Sequence, residues 1–168
     1  MTKKRLDIEH RFAKALDFEV IESGKTNYRT TVLRLRRLER LYLSQLTGDS
    51  TSALEIRRRI AEQMFEQALL HNCSQSVFRA KLSSMSKLGF SNMERKAHFY
   101  LLGGRAFLLQ GNVRVARSLA SSITRELESS ARRPRNPLRK ELLRLANVLL
   151  QEAERKAANS RPNANRRV

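Results

Sequence analysis

The stretch that decides the fold is residues 97–127, AHFYLLGGRAFLLQGNVRVARSLASSITREL. Apolar side chains recur every three or four residues on both sides of Gly111 and Asn112, which is the spacing of two amphipathic helices. Gly111 favours the end of the first helix, and Asn112 is suited to cap the start of the second. Because this pair alone connects them, we predict that the two helices lie against each other in antiparallel directions.

Five further helices are predicted outside this hairpin, which makes about seven in all. Ser52 and Ser91 each stand three residues before a glutamate, the spacing of a capping box at a helix start. Asn136 followed by Pro137 is a second type of helix start. Short connections favour antiparallel neighbours, so we predict an all-α fold of αα-hairpins, arranged as a helical bundle or a short stack of such hairpins. The predicted helices cover about residues 3–21, 27–46, 52–70, 74–89, 91–110, 112–129 and 136–158.

The length and the composition predict one domain with a tail. We expect a single helical domain over residues 1–158 and a disordered basic tail over residues 159–168, which are polar and rich in arginine. The single cysteine, Cys73, excludes an internal disulfide framework and favours a reducing, cytoplasmic compartment. The start of the chain does not predict a signal peptide, and no apolar stretch approaches the ~20 residues of a membrane span.

Net charge indicates the class of partner. The chain has 34 Lys and Arg against 16 Asp and Glu, a formal charge of +18, and 25 of these cations are arginines. A compact chain this basic repels itself, and such chains normally bind a polyanion. The forked guanidinium group suits bidentate contact with phosphate. The excess is uneven, since residues 49–73 carry −1 while residues 28–48 carry +4 and residues 134–168 carry +6, which favours basic faces over uniform charge.

Helical spacing gathers the cations of three predicted helices into stripes that lie away from the apolar side. On the sixth helix Ser118 and Ser121 accompany the arginines, and these are common phosphate-contacting types. Solvated helix faces give the same pattern, so the prediction depends on whether the stripes converge on one molecular face. The predicted nucleic-acid-binding residues are Arg29, Arg36 and Arg40 on the second helix, Arg114, Arg117 and Arg125 on the sixth, and Lys140 and Arg144 on the seventh.

The hairpin at residues 97–127 carries a local pattern of bulky and small side chains: Tyr100, Gly104, Phe107, Gly111, Ala116 and Ala120. This pattern resembles a single tetratricopeptide-type hairpin, in which small residues of the second helix let the two helices approach closely. The resemblance implies that Gly104 and Ala116 are in close contact. It covers about a fifth of the chain, and the ~34-residue period of the family does not recur clearly elsewhere.

The motifs that carry catalytic or metal chemistry are incomplete. Gly24-Lys25-Thr26 is similar to the end of a phosphate-binding loop, but Glu19 stands where that loop needs a glycine. Glu94 and His98 lie one helical turn apart without the second pair that a metal site needs. No catalytic residue, metal ligand or cofactor is therefore predicted, and we expect a protein that is not an enzyme.

These patterns together favour a non-enzymatic protein that binds nucleic acid through Arg-rich helix faces. RNA or a ribonucleoprotein is preferred to DNA, because no short helix-turn-helix signature offers a recognition helix. The alternative is a tetratricopeptide-like helical adaptor that binds an acidic protein partner. Peripheral binding to anionic membranes is less favoured, because the apolar stripes are needed inside the fold.

Overall fold

The computed structural model describes residues 3–46, 50–129 and 136–159. These residues form seven α-helices and no strand, which confirms the predicted all-α fold. The chain divides into two compact units, Met1–Phe90 and Ser91–Val168, and each is described by itself. The single domain over residues 1–158 stays a prediction. Of the tail predicted over residues 159–168, Asn159 is the last residue of the last helix, and residues 160–168 lie outside the described residues. The helices are α1 (Lys3–Ser23), α2 (Tyr28–Leu43), α3 (Ser50–Leu70), α4 (Gln75–Leu88), α5 (Met93–Leu109), α6 (Val113–Ser129) and α7 (Pro137–Asn159).

The first unit is built from α1 to α4, with α3 at its centre. α1, α2 and α3 share one apolar core, in which the rings of Phe12 and Tyr42 meet edge to face at 5.4 Å. α4 packs on α3 through Phe78, whose ring lies 6.2 Å from that of Phe65. The same three-to-four-residue spacing that predicts these helices from sequence therefore also supplies their buried sides.

A cation of α3 holds the end of α4. The side-chain Nε of Arg58 donates to the carbonyl oxygens of Leu88 at 3.3 Å and Gly89 at 3.0 Å. Gly89 has a positive φ of 71°, which glycine adopts at little steric cost. Because the last carbonyls of a helix lack backbone partners, this contact stabilises the end of α4 and fixes it against α3.

The second unit is a three-helix bundle of α5, α6 and α7. α6 runs antiparallel to α5, as predicted, because the chain reverses at Gly111 and Asn112. α5 and α7 run in the same direction, since Arg139 contacts Glu94 near their starts and Lys156 Nζ donates to the Leu108 carbonyl near their ends. α6 is therefore antiparallel to both of its neighbours.

Gly104 allows the three helices of this bundle to approach closely. A β-carbon added there would lie 2.7 Å from Cδ2 of Leu149 on α7 and 3.6 Å from the Ala116 carbonyl on α6. Gly104 and Ala116 are both buried. The close contact expected between them is confirmed. The shortest distance from the added β-carbon is to Leu149 of α7, a helix that the hairpin pattern did not include.

Asparagine side chains start several of the helices. Asn112 Oδ1 accepts from the backbone N–H of Val115, and Asn136 Oδ1 accepts from that of Leu138, so both predicted starts are confirmed. The predicted capping boxes are wrong. Asn92, not Ser91, caps α5 by accepting from Arg95 N–H at 2.8 Å.

The capping box predicted at Ser52 fails because α3 already begins at Ser50, so Ser52 lies inside the helix and not before it. Ser52 is buried, and its hydroxyl donates to Glu9 Oε1 of α1 at 2.8 Å. The residue predicted as a helix cap thus joins α3 to a residue of another helix 43 positions away in sequence. The second helix also ends at Leu43, earlier than predicted, because Ser44 and Gln45 side chains both donate to the Leu41 carbonyl.

Candidate nucleic-acid interface

The outer side of α6 lines an open groove of about 470 Å³ against the end of α7. Four small or apolar side chains of α6 are buried in the bundle, which turns the cationic side outward. Ala157 of α7 and Val113 form apolar parts of the groove wall. Two predicted cations and two hydroxyls line it together: Arg114, Arg117, Ser118 and Ser121.

The groove lies along the first half of α6, where the backbone favours anions. The first N–H groups of a helix have no partner within the helix and carry partial positive charge. Three of them already have partners: the N–H of Asn112 donates to the Phe107 carbonyl at 2.8 Å, that of Val113 to the Gly111 carbonyl at 3.0 Å, and that of Val115 to Asn112 Oδ1 at 3.3 Å. A phosphate in the groove would therefore be held by two guanidinium groups and two hydroxyls, and the helix dipole would add a favourable field near Arg114.

The two arginines of this groove differ in their present partners. Arg117 Nη2 lies 3.3 Å from Glu154 Oε1 of α7, and both side chains are at least half exposed. An exposed pair of this kind contributes about 0–1 kcal/mol, so a phosphate can replace the carboxylate at small cost. Arg114 and Arg125 are exposed and form no ion pair within the described residues. Glu128, one turn beyond Arg125, brings an acid to the far end of this side of α6.

The two predicted residues of α7 also differ. Lys140 is exposed and forms no ion pair with the described carboxylates. It lies on the same side of α7 as Glu154, because the 14 residues between the two positions make about four helical turns. Arg144 instead donates to both oxygens of Glu141, at 2.8 and 2.6 Å. These hydrogen bonds hold the pKa of the Glu141 carboxyl below its usual value. The guanidinium fork of Arg144 is therefore already occupied.

The third stripe belongs to the first unit. Arg29, Arg36 and Arg40 are all exposed on α2 and form no ion pair with any described carboxylate. Arg40 Nε donates to the Arg36 carbonyl at 3.5 Å, within the helix. Two of the three predicted stripes thus lie in the second unit, and convergence of all three on one face stays a prediction.

Several cations that sequence reasoning counted toward the charge hold helices together instead. Lys96 Nζ of α5 donates to both carboxylate oxygens of Glu126 on α6, at 2.7 Å each. Arg139 of α7 donates to Glu94 of α5 at 2.6 Å. The paired residues are 30 and 45 positions apart in sequence, so no local pattern identifies them.

Sequence reasoning missed two cations that lie beside Arg36. Arg57 of α3 and Lys81 of α4 line a small groove with it. The available signal is that Lys81 directly precedes Leu82 and follows Phe78 by three residues, so it stands at the border of the apolar side of α4. Which cations it meets depends on how α2, α3 and α4 pack.

An apolar groove of about 370 Å³ lies between α5 and α7 in the second unit. Leu145 and Val148 are about two-fifths exposed there, although they belong to an otherwise well-packed helix. Arg105, exposed and without an ion pair in the described residues, lies at the groove together with Glu152. This surface is a second candidate site, with apolar rather than phosphate-binding character.

The residues considered for chemistry have ordinary structural contacts. Lys25 pairs with Glu22 at 2.8 Å in the turn after α1. Burial raises the pKa of the Cys73 thiol, which disfavours the reactive thiolate. Within the described part of the chain, no three His, Cys, Asp or Glu side chains are grouped to hold a metal ion. The described helices include none with the length and apolar character needed to cross a membrane.

Comparisons of this chain with protein-family models, with curated proteins and with solved structures found no match. The assignment of a function therefore depends on the geometry and the charge of the described residues. The groove of α6 and α7 brings cations and hydroxyls together at a helix start, and it is the strongest candidate on those grounds.

Proposed function

We propose that this protein binds nucleic acid, without enzymatic activity, by holding backbone phosphates on the outer side of α6. The supporting observation is the groove lined by Arg114, Arg117, Ser118 and Ser121 on the first half of α6. Lys140 extends the same side along α7. Arg29, Arg36 and Arg40 of the first unit supply further phosphate contacts. The proposal includes a cytoplasmic location.

RNA is the preferred nucleic acid. Sequence-specific readers of duplex DNA place Asn, Gln and Arg at base edges in the major groove. The outer side of α6 carries serines between its arginines, which suits contact with phosphate and sugar rather than with bases. A surface of this kind fits the backbone of folded RNA, which is recognised largely by shape and by its phosphates.

The first test measures affinity against salt. The full chain is titrated with a fluorescently labelled RNA hairpin, a DNA duplex and an acidic peptide, each at two or more salt concentrations. Phosphate contacts release counterions, so the logarithm of affinity for RNA should fall steeply with the logarithm of salt. Absence of RNA and DNA binding at low salt would overturn the proposal.

Charge reversal then tests the groove itself. Arg114→Glu combined with Arg117→Glu should lower RNA affinity by at least about tenfold and reduce the salt slope by about 2. The matched control is Lys14→Glu with Arg105→Glu, which makes the same change of net charge at exposed positions outside the three stripes. Equal losses in the two double variants would mean that bulk charge, and not this groove, determines binding.

The second candidate function is a tetratricopeptide-like adaptor that binds an acidic, amphipathic helix in the groove between α5 and α7. The favouring observation is the partly exposed Leu145 and Val148 beside Arg105, which forms no ion pair with the described carboxylates. Apolar side chains of a partner helix would cover the leucine and valine, while an acidic residue would meet the guanidinium group.

A further variant, Val148→Asp, separates the two candidate functions. Binding of an acidic amphipathic peptide in this groove should be lost in Val148→Asp, since the new carboxylate removes an apolar contact, repels an acidic peptide and competes with it for Arg105. RNA affinity should change little in that variant, because Val148 lies away from the outer side of α6. Tight peptide binding that depends on Val148, without RNA binding, would favour the adaptor.

A further inference from the structure

A small groove in the first unit brings together cations from three helices. It lies over α3, between α2 and α4, and has a volume of about 60 Å³. Buried apolar side chains of α3 form its floor. The polar side chains of its lining are Arg36 and Glu39 of α2, Arg57 of α3, and Lys81 and Ser84 of α4.

Lys81 is the central cation of this groove. It is partly buried, and its ammonium lies 3.7 Å from the sulfur of Met64, a weak acceptor. It forms no ion pair with any described carboxylate. Burial, followed by the nearby charge of Arg36, lowers the pKa of the Lys81 ammonium. A partly desolvated ammonium with a thioether as its neighbour lacks the acceptor that normally offsets the cost of burial.

The neighbouring charges leave the groove positive. Arg36 and Arg57 are exposed and also form no ion pair with described carboxylates. Glu39 lies in the same lining, yet it is not within ion-pair distance of the three cations. Three cations against one acid give a local excess of positive charge, which an anion would neutralise.

The groove is small and partly open to solvent. Its volume of about 60 Å³ has room for one phosphate-sized group, and the rest of a nucleotide would extend into solvent. Its possible donors are the ammonium of Lys81, the guanidinium groups of Arg36 and Arg57, and the hydroxyl of Ser84. Tetrahedral oxygens on one phosphorus can accept from several helices at once.

We infer that the groove formed by Arg36, Arg57, Lys81 and Ser84 binds a single phosphate group. The inference rests on the proposed function for the source of that group, a phosphodiester of the bound RNA, although free phosphate has the same chemistry. Lys81 and Arg57 are thereby added to the predicted phosphate contacts of α2. The groove also gives Arg36 a more specific role than that of a solvated cation.

The test uses inorganic phosphate as the probe and the full chain as the protein. Thermal unfolding is followed with increasing phosphate, against sodium chloride at equal ionic strength, since a ligand that binds the folded state raises the midpoint. Lys81→Met keeps the stem of the side chain and removes its charge. Lys87→Met, at an exposed position on the same helix, is the matched control.

The expected result is a phosphate-dependent rise in the midpoint for the unsubstituted chain and for Lys87→Met, with phosphate affinity at least about tenfold weaker in Lys81→Met. The basal midpoint of Lys81→Met should not fall, because the substitution removes a partly buried charge that has no carboxylate partner among the described residues. No specific phosphate effect, or an equal effect in Lys81→Met, would overturn the inference.

RNA titration of the same variants separates this inference from the proposed function. Phosphate binding that depends on Lys81, without RNA binding, would keep the site and refute nucleic acid as the source of phosphate. RNA binding that is unchanged in Lys81→Met, without phosphate binding, would refute the site and leave the proposed function standing. An acidic peptide that binds through Lys81 where phosphate does not would also overturn the inference.

Discussion

The two polar sides of α6 use charge in opposite ways. On the side toward α5, Glu126 accepts from Lys96 at 2.7 Å through both oxygens and also from Ser122. On the outer side, Arg114 and Arg125 form no ion pair with the described carboxylates, and Arg117 has one exposed contact with Glu154 of α7 at 3.3 Å. The first side therefore fixes a neighbouring helix, whereas the outer side holds two cations without a described carboxylate and one whose exposed pair a ligand can replace.

This difference shows that net charge is a poor guide to function until the partners are known. Lys96 and Arg139 add to the formal charge of +18, yet each is held by a carboxylate of another helix. The charge that a polyanion can use belongs to the cations without such partners and to Arg117, whose single contact with Glu154 is exposed. Cations held by a carboxylate of another helix, such as Lys96 and Arg139, are structural, and cations that a ligand can reach are available.

The largest loss of stability is expected from a change at Gly104 of α5, where the buried side of α6 and Leu149 of α7 both approach. Gly104→Val puts a branched side chain where even a β-carbon lies 2.7 Å from Leu149 Cδ2, so the bundle must shift. Overpacking of this kind costs about 1–3 kcal/mol, which thermal or denaturant unfolding of the full chain measures. Gly24→Val is the control, since a β-carbon there meets only the Ile21 carbonyl at 3.8 Å. Equal losses would mean that the close approach at Gly104 is not required.

The sequence predicts α6 well because the evidence is local. Apolar residues at helical spacing, with Gly111 and Asn112 before them, define the helix and its buried side. Arg114, Arg117, Ser118 and Ser121 then share the opposite side, where the structure finds the groove. Helical periodicity alone shows which residues of one helix share a side, so this prediction does not require the packing between helices.

What the sequence could not predict depends on contacts between helices. Arg139 donates to Glu94, 45 residues away, and Ser52 donates to Glu9, 43 residues away. Local spacing could not predict the second contact, and it assigned Ser52 wrongly to a helix cap. The meeting of Lys81 with Arg36 likewise depends on how α2 and α4 pack on α3. Long-range partners of this kind decide whether a cation is structural or available.

A second prediction concerns a structural cation. Lys96→Gln removes the charge that Glu126 accepts and also the cation that lies 5.5 Å from the Tyr100 ring. Stability should fall by about 1 kcal/mol, a modest amount because both side chains are partly exposed. Thermal unfolding measures the loss. RNA affinity should stay within about twofold of the unsubstituted value, and a tenfold loss would contradict the division of the cations.

A third prediction uses acid. The hydrogen bond from Arg139 is the main cause that lowers the pKa of Glu94 from its usual 4.5. Because the folded-state pKa is the lower one, the pair stabilises the fold above pH 4.5, and this contribution is lost as pH falls through the folded-state value.

Arg139→Gln should therefore lower the midpoint of unfolding at pH 7 and have little effect near pH 3, as thermal unfolding at the two pH values would show. Arg144→Gln, which removes an exposed pair within one helix, is the control with a smaller difference. A loss that is the same at both pH values would mean that ionised Glu94 does not carry the stabilising effect.

The smallest effect is expected on the salt dependence of RNA binding, where two cations of α7 that are both predicted as phosphate contacts from sequence should differ. Lys140 has no ion-pair partner among the described residues, whereas Arg144 already donates to both oxygens of Glu141. Lys140→Ala should reduce the salt slope of RNA binding by about 1, and Arg144→Ala should reduce it by less, because a phosphate must first displace Glu141. A larger effect of Arg144→Ala would show that an exposed carboxylate partner does not occupy a cation, and the division drawn on α6 would then fail on α7.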